Sequence, residues 1–170
     1  MVLYLFTLAL LILQLSKAWK VMAKIIGSTL EYTEERITAL MEEYDRYIAS
    51  CGYIRMSEVF DHIVNQPCRR FWVSNIRAAV VVARMLKGCK LIGMRPSKRE
   101  MFQEIFRRVC ALKEANPSVS LFQLVAEVVA QPAPKFYLTP SSAKIMVYKA
   151  KKEWSARKRQ RMPRLRMPHC

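Results

Sequence analysis

Val64-Asn65-Gln66-Pro67-Cys68-Arg69-Arg70-Phe71-Trp72-Val73-Ser74 returns, sixty-five residues later, as Val129-Ala130-Gln131-Pro132-Ala133-Pro134-Lys135-Phe136-Tyr137-Leu138-Thr139. Where the letters differ they keep their chemistry: Arg70 for Lys135, Trp72 for Tyr137, Val73 for Leu138, Ser74 for Thr139. A phrase of this length used twice implies one supersecondary unit used twice.

The correspondence continues on both sides of the phrase. Upstream, Ile37, Leu40, Met41, Tyr44 and Tyr47 fall opposite Phe102, Ile105, Phe106, Val109 and Leu112. Closer in, Met56, Val59, Phe60, Ile63 and Val64 fall opposite Leu121, Leu124, Val125, Val128 and Val129. Both sets are apolar at three- and four-residue spacing, as in helices that bury one face. Ala78 to Leu86 and Ala143 to Ala150 supply a third helix to each copy. Two unrelated Gln-Pro loops would have to match phase across three helices by accident. The expected fold is therefore all-α. It has two tandem three-helix units at an offset of sixty-five, packed as one body, with a hydrophobic N-terminal segment and a basic C-terminal arm. The units span 33–96 and 97–157; each alone is near the lower limit for a self-sufficient core.

Local signals suggest the boundaries. Thr33 is expected to cap the first helix, and Ser97 with Glu100 to form a capping box at its counterpart. Gly52 is expected to end the first helix in a left-handed residue, and Asn116-Pro117 to end its counterpart. Ser74 and Thr139 are the expected caps of the third helices, with Pro140 at the first helical position.

Residues 1–21 form a hydrophobic segment; no charged side chain occurs before Lys17. It reads as a membrane anchor leaving the body on the cytoplasmic side, as a signal peptide, or as an extension ahead of a working start at Met22. Five cysteines, an odd number with no C-x-x-C pair, favour a reducing, cytoplasmic setting. Cys68 beside Arg69 and Arg70 reads as an inert loop thiol, with an activated thiol as the alternative.

Charge is the clearest functional signal. The formal net charge is +16, with 29 Lys and Arg against 13 Asp and Glu. From Lys144 onward every charged side chain except Glu153 is basic. Such an arm lowers its free energy most by neutralising a polyanion, and each phosphate contact releases counterions. The expected function is non-enzymatic binding of nucleic acid, DNA or RNA. The expected contacts are Arg77, Arg84 and Lys87 in one third helix, and Lys144, Lys149, Lys151 and Lys152 in the other. Arg157, Lys158, Arg159 and Arg161 follow, with 158–170 expected as a disordered basic tail. Trp154 reads as an apolar anchor for the last helix, with base stacking as the alternative.

The short turn near Cys51-Gly52 resembles that of helix-turn-helix domains in length, but the eight-residue loop before each third helix is longer than their tight turn. In the repeated loop, Arg70, Phe71 and Trp72, and likewise Lys135, Phe136 and Tyr137, read as structural closure or as ligand contacts. No Gly-rich phosphate loop, G-x-S-x-G or H-E-x-x-H occurs, and no cofactor or metal is expected. Two further readings are a helical scaffold or adaptor that binds other proteins, and attachment to an anionic membrane.

Overall fold

The computed structural model describes residues 32–161, and in them the chain is all-α. The expectations for segment 1–21 lie outside these residues, as does the tail beyond Arg161. Six helices follow in order: α1 (Thr33–Ser50), α2 (Met56–Val64), α3 (Asn75–Leu86), α4 (Pro96–Ala115), α5 (Leu121–Ala130) and α6 (Pro140–Arg161). Among the described residues, no helix is long and apolar enough to cross a membrane.

Each helix buries one stripe. Leu40 and Tyr44 of α1 meet Val59, Phe60 and Ile63 of α2 in the core, and Phe102, Ile105 and Val109 of α4 do the same with Leu124, Val125 and Val128 of α5. The third helices then cross over. α3 follows α2 in the chain but packs on α4 and α5; α6 follows α5 but packs on α1 and α2. Ala78, Val81 and Val82 enter the core from α3, and Ala143 and Val147 from α6.

The two Gln-Pro loops meet where the crossover happens. Cys68 and Ala133 form an isolated antiparallel bridge, each N–H donating to the other's carbonyl at 2.9 Å. Phe71 N–H donates to the Val129 carbonyl at 3.1 Å, and Phe136 N–H donates to the Val64 carbonyl at 3.1 Å. The second bond is the first with sixty-five residues added to one partner and removed from the other. The loops thus satisfy their backbone groups across the seam rather than within themselves.

Helix ends differ from the expectations at several places. Thr33 is the first helical residue of α1, with Tyr32 at the cap position. α4 begins at Pro96 after Arg95, so Ser97 and Glu100 form no capping box; a first-turn proline loses no hydrogen bond there. Glu100 pairs instead with Lys135. A capping box does exist at α5, between Ser120 and Gln123. α1 stops at Ser50 through an extended Cys51, and Gly52 is not left-handed. The left-handed terminator is Gly88, φ 78°, after α3: Gly88 N–H bonds to Met85 and Cys89 N–H to Arg84, closing the last turn. Asn116 ends α4 as expected. Ser74 accepts from Arg77 N–H at 3.3 Å, and Thr139 from Ser142 N–H at 3.2 Å, ahead of Pro140.

α6 continues through Arg161, four residues into the stretch expected to be a disordered tail.

Candidate nucleic-acid interface

The aromatic side chains of the two loops lie inside the body, and Arg70 and Lys135 are half-buried. Phe71, Trp72, Phe136 and Tyr137 are all buried, and the rings of Phe71 and Tyr137 stack with centroids 6.0 Å apart. Tyr137 takes φ 53°, a left-handed geometry that costs a residue with a side chain about 1–2 kcal/mol. Its ring stays in the core at that cost, and burial raises its phenol to about 12. Arg70 lies half-buried with its guanidinium 3.9 Å from the Tyr32 ring centroid. Arg108 donates to Glu104 at 2.7 Å and to the Pro132 carbonyl at 2.9 Å, and lies 5.1 Å from the Phe71 ring. It ties α4 to both loops.

Cys68 is buried, and its thiol donates to the carbonyls of Arg70 and Lys135 at 3.2 and 3.4 Å. Burial pushes its pKa up to about 11, which suppresses the thiolate. The neighbouring arginines do not activate it: Arg69 points out to Glu42 at 2.7 Å. His62 is exposed, stacked on Tyr47 with ring centroids 4.2 Å apart. Among the described residues no cluster of His, Cys, Asp or Glu has the makings of a metal site.

The cations expected on the third helices are mostly at the surface. Arg77, Arg84 and Lys87 are exposed on and just after α3, a helix with no carboxylate. Lys144, Lys149 and Lys152 are exposed on α6. Lys151 is different: its ammonium lies 3.7 Å from the ring centroid of Tyr44, so it fastens α6 to α1. Among the described side chains of α6, Val147 is the last that is fully buried. Past Lys151, every described side chain but the half-buried Ala156 is exposed. This exposed stretch of the helix carries Lys152, Arg157, Lys158 and Arg159. Glu153, its one carboxylate, sits 3.9 Å from Lys149.

Trp154 does not anchor this helix. It is 65% exposed, with the Lys158 ammonium 5.3 Å from its ring centroid.

Exposed apolar side chains stand among the cations and escape a reading based on charge alone: Ile76, Val80 and Leu86 on α3, and Ile145 and Tyr148 on α6 beside Trp154. Val80 is 43% exposed on α3 and Ile145 is 68% exposed on α6. They occupy positions sixty-five apart, so lining up the outward faces of the third helices, as well as the buried ones, reveals them.

Compared with known proteins, the chain matches no family model, no curated protein and no solved structure.

Proposed function

We propose that the chain is an internal duplication of a three-helix unit, with copies at 33–96 and 97–157, that binds nucleic acid and is not an enzyme. Backbone bonds recurring at sixty-five-residue spacing across the Cys68–Ala133 seam support the duplication. One observation carries the binding reading: the exposed, cation-rich end of α6, where Lys152, Arg157, Lys158 and Arg159 all lie at the surface. A lone helix dense in like charge is destabilised by repulsion between neighbours one turn apart. Phosphates laid along it relieve that repulsion and release counterions. The exposed Trp154 among the cations offers a base-stacking platform, which every base can use regardless of sequence. The cytoplasmic setting goes with this reading and rests on cysteine usage alone.

The test is fluorescence anisotropy of labelled oligonucleotides, single- and double-stranded, titrated with the full chain at several salt concentrations. Affinity is expected to fall linearly with salt on logarithmic axes. Removing residues 155–170 is expected to flatten that slope by as much as about 5, because six basic side chains go with it. Binding unchanged by the truncation defeats the reading.

A helical scaffold that binds protein is the second reading. It is favoured by Tyr53, Ile54 and Met56, exposed together at the turn between α1 and α2. It predicts association that tolerates salt and is lost on substituting Tyr53 by a charged residue. Anionic lipid, the third expected partner, is distinguished by co-sedimentation with phosphatidylserine vesicles.

A further inference from the structure

The ligand of the proposed site can be narrowed by comparing the outward faces of the third helices. Both helices set out from one seam: Phe71, three residues before the Ser74 cap, stacks on Tyr137, two residues before the Thr139 cap. Each then docks on the other half's helix pair. On α3 and its C-cap, Val80, Arg84 and Lys87 are exposed at spacings of four and three residues, one stripe of a helix surface. On α6, Ile145, Lys149 and Lys152 are exposed at the same spacings and at the corresponding positions. The same apolar–basic–basic stripe is thus presented twice, on helices whose preceding loops are joined through reciprocal hydrogen bonds.

A stripe that only followed phosphates would gain nothing from a branched apolar side chain in water. A helix lying in a major groove has use for one: it meets base edges and thymine methyls while cations one turn away reach the backbone. The major groove of B-form DNA is about 12 Å wide and admits a helix, whereas that of A-form RNA is too narrow for side chains to read. Duplex DNA also has local two-fold symmetry, which suits a surface presented in two related copies.

We infer that the chain binds duplex DNA through the paired faces of α3 and α6. Arg84, Lys87, Lys149 and Lys152 contact phosphates, and Val80 and Ile145 face the base edges. This rests on the nucleic-acid reading above and adds to it the class of ligand and the residues that select it.

The experiment compares a short duplex with its single strand, against the full chain and two double variants, Arg84→Ala with Lys87→Ala and Lys149→Ala with Lys152→Ala. All four positions are exposed, and circular dichroism confirms that each variant stays helical. The expected result is tighter binding of the duplex, weakened about tenfold by either variant, with each salt slope shallower by about 2. A single strand bound as tightly as the duplex overturns the inference. So does an α3 variant that binds duplex like the parent. Either outcome leaves the reading of the α6 end standing, provided salt-sensitive binding persists. Loss of salt-sensitive binding to both strand forms in the unmodified chain removes that reading and this inference together.

Discussion

Cys68 and Ala133 exchange both of their backbone hydrogen bonds at 2.9 Å, although they lie in different loops and α3, α4 and α5 intervene between them. Nothing else among the described residues pairs in the manner of a β-strand. The Cys68 thiol adds contacts to the carbonyls of Arg70 and Lys135, two residues beyond each partner of the bridge. The seam fixes where α3 and α6 begin, and therefore which helix pair each one reaches. The surface on which binding is proposed is set by this polar clasp inside an apolar core.

Phe71 is expected to carry much of the seam's stability. Its side chain is fully buried, stacks on Tyr137 and lies under the Arg108 guanidinium. Phe71→Ala should cost about 3–5 kcal/mol in denaturant unfolding, and Phe136→Ala a similar amount. Trp154→Ala, at an exposed position, should stay within about 0.5 kcal/mol of the parent. A small effect at Phe71 or a large one at Trp154 would contradict the placement of these rings.

Glu104 gives the stability a marked acid limb. It accepts from Arg107 at 2.8 and 3.0 Å and from Arg108 at 2.7 Å, and the Arg107 bond above all holds its carboxyl at about 2, against an ordinary 4.5. The folded chain therefore binds this proton more weakly than the unfolded chain does. The resulting stabilisation is complete above pH 4.5 and is lost as pH falls through about 2. In urea melts across that window, Glu104→Gln should start less stable at neutral pH and converge on the parent at the acid end. Parallel curves would show that the pair contributes nothing.

The buried half of the molecule was legible in the sequence, and the reason is periodicity. The stripe running from Leu40 to Tyr44 and the one running from Ile105 to Val109 are set by three- and four-residue spacing, which needs no knowledge of partners. Ser74 and Thr139 were legible for a similar reason, since a cap acts within one turn. Ser97 was misleading because Pro96 and Ser97 are both acceptable starts, and Pro96 leads into the helix one residue sooner. Long-range choices were hidden. No pattern within α3 says that it packs on α4 and α5, because its apolar face fits either helix pair equally well in sequence terms. Trp154 was hidden too: exposure depends on where the body ends, and α6 continues past that point.

The crossover itself can be tested by cutting the chain between its halves. In residues 32–95, α3 is severed from α4 and α5, the helices it packs on; in residues 96–161, α6 is severed from α1 and α2. Each fragment alone leaves the buried faces of its third helix and its helix pair without their partners. Mixing the fragments should restore one body through two reciprocal dockings, so a one-to-one complex with increased helicity is expected by light scattering and circular dichroism. The fragment 32–95 does not satisfy itself by folding back, since the loop of residues 65–74 is engaged across the seam through Cys68 and Phe71. If residues 32–95 alone formed a monomer with a cooperative melt and ignored the other fragment, α3 would have to dock on α1 and α2, and the crossed packing would be excluded.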